Sequence, residues 1–331
     1  MVYIYKKRIG KKDYYYLRAS LNKGRKAVTK DIAYLGNSAE DAKKALSEIK
    51  EHKDEIRKSY KKISSFLESN HYLELAKKNK LKHDDLFGEK LLEVEACKIH
   101  YIKEFARLDK LTKKQMINNF IIDFTYNTTS IEGNTIELRE VHNLFEEGIT
   151  PKGKTMREIY DLQNTKNVFE KLNLKDRVND ALVLKVHEGL MEKVDQRTGY
   201  RIKDVHIKDS HFESTPWQYI SADMKELFKW YNREHDKLHP LALAAIFHHK
   251  FEKIHPFFDG NGRTGRILMN VILMKKDYPP IIIRKKYRAE YLDTLSDADE
   301  QNLFAKETNH YKKLIRFCST EFTENYWNNF F

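Results

Sequence analysis

Proline interrupts helices, and this chain carries only six of them in 331 residues. From about residue 116 onward there is neither an internal repeat nor a low-complexity linker, so that stretch reads as one compact helical domain. One segment departs from the pattern. Between Gly199 and Ile220 the run Tyr200-Arg201-Ile202-Lys203-Asp204-Val205-His206-Ile207 alternates and Pro216-Trp217 closes it, which predicts a hairpin between helices. Ahead of the helical stretch, Val2–Arg8, Tyr14–Ser20 and Ala27–Leu35 are rich in Tyr, Val and Ile. Ile9-Gly10-Lys11-Lys12 and Asn22-Lys23-Gly24 separate them, so residues 1–37 read as a β-meander. Ser38 with Asp41 predicts a helix start in which hydroxyl and carboxylate each satisfy an orphan backbone N–H. Beyond it, Ala42, Ala45, Ile49, Ile56, Tyr60, Ile63 and Leu67 recur at helical steps and predict one long amphipathic helix. Residues 71–115 continue helically with a narrower apolar stripe. The expected fold class is mostly α: a helical core with a β-hairpin flap, preceded by a small β-meander and long helices. The expected divisions are 1–37, 38–115, 116–320 and a tail at 321–331.

The formal charge of +12 is unevenly placed. Residues 1–50 hold 13 Lys/Arg against 5 Asp/Glu and so carry +8 of it. A basic arm of this kind suits nucleic acid or an acidic partner, and equally a solvated surface. Cys97 and Cys318 are the only cysteines, too few and too far apart for a disulfide scaffold or a cysteine metal site. No apolar run approaches the roughly 18 residues that span a bilayer, and Met1-Val2-Tyr3-Ile4-Tyr5-Lys6 has no signal-peptide character. The expectation is a cytoplasmic protein with no membrane partner.

The chemistry concentrates in His255-Pro256-Phe257-Phe258-Asp259-Gly260-Asn261-Gly262-Arg263-Thr264-Gly265-Arg266, which runs into the helical stretch Ile267–Met274. Glycines spaced this way let backbone N–H groups form an anion nest at a helix start, where the helix dipole also favours negative charge. Arg263 and Arg266, three apart, share a helix face, and two guanidinium forks beside a nest suit a di- or triphosphate. Asp259 is a hard oxygen ligand placed where Mg2+ could bridge it to phosphate oxygens. His255 is the one side chain here with a pKa near neutrality, fit to take a proton from a hydroxyl. Any one of these residues has an ordinary structural explanation; a base, a metal ligand, a nest and two guanidiniums within twelve residues do not. His248 and His249 raise a metal-hydrolase alternative, but no His-Glu-x-x-His pattern or nearby cysteine supports it, and His248 reads as a packed residue.

Residues 255–266 resemble the active-site signature of Fic (Fido) proteins, His-Pro-Phe-x-Asp-Gly-Asn-Gly-Arg-x-x-Arg, at every position. The resemblance covers roughly residues 116–320 and implies transfer of AMP from ATP to a Ser, Thr or Tyr hydroxyl of a target protein. By position it implies His255 as the base, Asp259 as the Mg2+ ligand, and Asn261 with the Gly260 and Gly262 amides as the α-phosphate seat. Arg263 and Arg266 would hold the outer phosphates, Thr264 and Gly265 would belong to the same nucleotide site, and Phe257 would anchor the core. A kinase relative replaces the second glycine and loses the last arginine; Gly262 and Arg266 are both present here.

Upstream, Thr128-Thr129-Ser130-Ile131-Glu132-Gly133-Asn134 resembles the family's inhibitory motif, on a helix near 118–134. A carboxylate at Glu132 paired with Arg266 would remove the guanidinium that holds the γ-phosphate; a further implied role for Glu132 is to position water for removal of AMP. Without the resemblance the same residues would simply end a helix, with Gly133 just past its C-terminus. Gly199-Tyr200-Arg201 and the hairpin resemble the flap that clamps a target segment, with Ile207, Lys208, Asp209 and Ser210 over the nucleotide. Tyr291 would line the adenine pocket, where Leu292 and Asp299 depart from the family's second aromatic and Asn. A homodimer is a further expectation of the resemblance. The alternative function is a nucleic-acid-binding regulator working through residues 1–50, its Fic core secondary or inactive.

Overall fold

Alternation in the N-terminal sequence becomes alternation in burial. The computed structural model describes residues 2–10, 12–23, 26–79, 81–205, 214–300, 303–305 and 307–331. In it, β1 (Val2–Ile9), β2 (Lys12–Lys23) and β3 (Lys26–Gly36) form an antiparallel sheet in the order β1-β2-β3. This is the expected meander, with strands a few residues longer. Val2, Ile4, Tyr15, Leu17, Ala19 and Leu35 turn to one face and share a core with Ala39, Ala42, Ile63 and Leu67.

Those last four residues explain why the single long helix expected from 42 to 67 is broken. The chain makes α1 (Ala39–Glu48), α2 (Lys53–Lys58) and α3 (Tyr60–Lys78), with Ile49 extended and His52 left-handed between the first two. At 1.5 Å per residue, an unbroken helix would hold Ala42 and Leu67 roughly 37 Å apart. Folding back lets both α1 and α3 cover one small sheet, and that burial outweighs continuous helical hydrogen bonding. The cap at Ser38 is half of the expected box. Its hydroxyl accepts from Asp41 N at 3.0 Å, while the Asp41 carboxylate accepts from the Ser38 hydroxyl at 2.7 Å. Aspartate is one methylene shorter than the glutamate that usually reaches back.

The chain divides into two units, residues 1–82 with 95–100 and 331, and residues 83–94 with 101–330. The second is helical: α4 (Lys90–Lys103), α5 (Lys110–Ile131), α6 (Leu138–His142), α7 (Met156–Glu170), α8 (Asp180–Met191), α9 (Ile220–Glu234), α10 (Pro240–Ile254), α11 (Asn261–Met274), α12 (Arg288–Asp297) and α13 (Lys312–Asn329). Residues 95–100 of α4 belong to the first unit. At the centre, α10 and α11 pack on each other, buried from Leu241 to Phe251 and from Asn261 to Leu273. The boundary expected at 320 falls inside α13, whose Glu321, Phe322 and Tyr326 are buried; the last turns of the chain are core, not tail. Among the described residues, no helix is long and apolar enough to cross a membrane.

Candidate active site

His255 caps α10 in a left-handed conformation, φ +50°, its N–H donating to Phe251 O at 3.0 Å. A non-glycine residue persists there only where its surroundings enforce it. Here the enforcing group is Arg201, 1% exposed. Its Nε donates to His255 O at 2.8 Å, its Nη1 to Lys203 O and Asp204 Oδ1 at 3.1 Å, and its Nη2 to Ser214 Oγ at 3.2 Å and to Thr215 O. Arg201 N also donates to Pro256 O, and Thr215 N to Lys253 O. Both ends of the expected flap, 199–205 and 214–216, are thereby stapled to the last turn of α10 and the loop after it. They run as irregular backbone, and Ile207, Lys208, Asp209 and Ser210 lie outside the described residues. Burial pushes the His255 imidazole down to about 4, so it is neutral at pH 7.

The loop itself is held rigid. Phe257 is fully buried and stacks on His187 with ring centroids 3.6 Å apart, and His187 Nε2 donates to Asp259 O at 3.0 Å. Burial likewise lowers His187 to about 4. The Asn261 side chain accepts from Phe257 N and donates to Phe257 O, both at 2.9 Å. Its amide therefore shapes the loop, and any seat for a phosphate would come from the backbone it arranges. Gly260 takes φ +77° as N-cap of α11, where a Cβ would come within 2.7 Å of Met191. The first turn of α11 leaves backbone N–H groups without intrahelical partners at this loop.

The two arginines diverge to different helices. Arg263, 3% exposed, pairs through Nη1 with Asp161 of α7 and through Nη2 with Asp259 at 3.5 Å. The other Asp259 oxygen takes Arg157, also on α7. Burial raises the Asp161 carboxyl against the opposing pull of Arg263. Arg266, 2% exposed, turns to α5: its Nε donates to Thr128 Oγ1 at 2.7 Å, and its Nη2 to Thr128 O at 3.0 Å and Glu132 Oε1 at 2.6 Å. A Cβ on Gly262 would overlap the Glu132 carboxylate. The absent side chain is thus the space in which that carboxylate sits.

The end of α5 is fixed from several sides. Gly133 N donates to Ser130 O and Asn134 N to Thr129 O, both at 3.1 Å, with Gly133 at φ +100°, a Schellman ending. Arg288 Nε donates to Ile131 O at 2.9 Å. Asn134 Nδ2 donates to Glu158 O, and Thr135 N and Oγ1 donate to Glu158 Oε1. The Thr135 bonds, with the Thr155–Glu158 capping box of α7, hold the Glu158 carboxyl down at about 2.

On the α10 side, Gly265 has a packing reason. A Cβ there would come within 2.6 Å of His248 Nδ1 and 2.9 Å of Glu252 Oε1. Thr264 is fully buried, and its hydroxyl has no hydrogen-bond partner among the described residues. Tyr291, 1% exposed, is hydrogen-bonded to His248 Nε2, and burial rather than an open pocket surrounds its ring. His249 pairs with Asp299 at 2.9 Å. The Glu252 side chain is 18% exposed, and desolvation raises its carboxyl to about 8.

Among the described residues, no cluster of three or more His, Cys, Asp or Glu could hold a metal. Asp259 is 33% exposed at the anion nest, which fits an Mg2+ bound by one carboxylate together with phosphate oxygens. Arg157, Asp161, His187 and Glu252 carry no site signal in the sequence, and Arg201 is marked there only as the start of the flap. Each stands alone there, and only long-range packing gathers them.

Residues 177–273 match the Fic/DOC family. Over 204 residues the chain is 30% identical to protein adenylyltransferase fic-1 of Caenorhabditis elegans, covering 59% of this chain and 40% of that protein. Over 185 residues it is 34% identical to protein adenylyltransferase Fic of Drosophila erecta, covering 54% and 37%. The chain thus spans about two fifths of the length of these relatives. Two solved structures share the fold. A Fic-domain-containing signaling protein of Bacteroides thetaiotaomicron superposes with TM-score 0.64 at 23% identity, covering 72% of this chain and 95% of that one. Fic-1 of C. elegans superposes with TM-score 0.59 at 22% identity, covering 88% and 81%. The loop from His255 to Arg266, set between α10 and a buried α11, lies within the stretch 177–273 that matches the Fic/DOC family, in a chain whose fold matches a solved Fic-domain structure.

Proposed function

We propose that this chain transfers AMP from ATP to a hydroxyl side chain of a target protein and is restrained by Glu132. The observation that carries the reading is the Glu132 carboxylate, seated in the space above Gly262 and bonded to Arg266. It lies where an anionic phosphate would be drawn by the helix start and the guanidinium. Once it swings away, Arg266 and the loop amides are free to take the triphosphate. The target hydroxyl oxygen then attacks the α-phosphorus, the bond to the β-phosphate breaks, pyrophosphate leaves, and the hydroxyl proton passes to the neutral His255 imidazole. Arg201 positions His255 through its carbonyl, and Asn261 keeps the amides in place. Asp259 would hold Mg2+, which supplies charge neutralisation for the phosphates when bound. Catalysis on this reading comes from positioning and fixed charge. The names of the matched relatives support the activity.

The test is incubation of wild type and Glu132→Gly with labelled ATP and magnesium. The variant should incorporate label into itself at least tenfold faster. Equal labelling of two folded proteins would remove the inhibitory role of Glu132, and no labelling of either protein or of any target would remove the transfer reading. Supplying a pre-modified target to both proteins separates transfer from removal of AMP.

A further inference from the structure

Nothing in the catalytic reading uses the N-terminal sheet, which presents two chemically different faces. One is the apolar face covered by α1 and α3. The strand register defines the other: Tyr3 lies opposite Arg18, Tyr5 opposite Tyr16 and Lys7 opposite Tyr14, while Tyr34 and Asp31 on β3 face Tyr16 and Arg18. Tyr34 is 54% exposed, its ring centroid 5.4 Å from Tyr16 and 6.4 Å from Tyr14. The Arg18 guanidinium lies 3.6 Å from the centre of the Tyr5 ring and pairs with Asp31 at 2.5 Å. Exposed Lys7 and Lys12 continue the same face toward the β1–β2 turn.

We propose that this face binds single-stranded RNA. Tyr3, Tyr14, Tyr16 and Tyr34, on three adjacent strands, offer aromatic rings beside Tyr5, whose ring Arg18 covers, and a sheet presents ring faces only to bases that are not already stacked in a duplex. Lys7, Lys12 and Arg18 stand against one carboxylate, Asp31, which Arg18 already engages, so the face attracts a phosphate backbone. Five phenol hydroxyls, with Ser20 and Thr29 at the far end of the same face, can donate to and accept from ribose 2′-hydroxyls, which DNA lacks. The proposal is independent of adenylyl transfer.

The test is fluorescence anisotropy of a labelled oligouridylate about twenty nucleotides long, titrated with the full chain at about 50 mM and about 300 mM salt. Binding should weaken with salt, exceed that of oligothymidylate of equal length and of duplex RNA, and fall at least tenfold in Tyr16→Ala/Tyr34→Ala. Tyr34→Phe should bind within about threefold of wild type, because the ring is kept. Should the alanine pair fail to fold, Lys7→Glu/Lys12→Glu, both exposed, must lower affinity and flatten the salt dependence instead. Absence of binding at about 10 μM protein and the lower salt overturns the proposal. So does equal or tighter binding of DNA or duplex, or affinity that survives loss of the rings or lysines in folded variants.

Discussion

Arg266 and Glu132 are 134 positions apart in the sequence and 2.6 Å apart in space. Arg266 is nearly enclosed, while the Glu132 side chain is 41% exposed, so the pair is asymmetric: one partner is fixed and the other has room to leave. Removing the carboxylate leaves the buried Arg266 charge without its paired anion, hydrogen-bonded to the Thr128 oxygens. Glu132→Gly should therefore lower the melting temperature by several degrees, as scanning calorimetry would register, while it raises self-labelling. At His255 the direction is set by burial. With its pKa pushed down to about 4, the imidazole is already an unprotonated base at pH 7. The acid limb of kcat/KM for Glu132→Gly should accordingly fall near pH 4; a midpoint near 6.5, the ordinary histidine value, would show that the base is not held in this environment. His255→Ala should abolish transfer while ATP binding, measured calorimetrically, stays within a few-fold.

At the scale of the element, the helix ending after Glu132 is what aims its carboxylate. Gly133 sits at φ +100°, a conformation that costs a residue with a side chain roughly 1–2 kcal/mol. Gly133→Ala should lower the melting temperature by a few degrees and raise self-labelling, because the C-terminus of α5 must rearrange. A variant as inactive as wild type would mean that the aim of Glu132 does not depend on this turn. Much of this was legible beforehand. The meander, the loop from His255 to Arg266 and the helix carrying Glu132 all follow from local pattern, because glycine placement and apolar period act over a few residues. The break after Glu48 was not, since periodicity across 42–67 is continuous and only competition for one small sheet splits the helix. Asp161 and Arg157 were hidden for a related reason. They lie on α7, each 102 positions from its partner, Arg263 or Asp259, and no spacing rule links them. Tyr291 reads as a pocket residue by alignment with a motif, yet its hydroxyl is taken by His248 inside the core.

The molecule as a whole holds desolvated titratable groups, neutral near pH 7, whose ionisation shapes its stability. Glu252 has its folded value raised to about 8, so the unfolded chain releases this proton first. Stability from this group is full below about pH 4.5 and is lost as pH rises through about 8. His187 and His255, both lowered to about 4, act on the other flank and withdraw stability as pH falls from about 6.5 to about 4. Glu252→Gln should remove much of the alkaline decline, an effect on the order of a few kcal/mol, visible as a flatter melting temperature between pH 5 and 8. A decline identical to wild type would assign it to other groups. The charge of the chain also divides by place. The +8 of residues 1–50 belongs to the first unit, and the arginines of the loop belong to the second.

Gly262 has a consequence for how such a protein can fail. On the proposed function, the same space would receive either the restraining carboxylate or the phosphate that replaces it. A mutation that fills it would evict both, and the expected outcome is silence. A mutation that deletes the carboxylate would leave the space open, and the expected outcome is unrestrained transfer. On that reading, accidental change is harmless at one position and hazardous at the other, so the hazard would be concentrated in the few residues that end α5.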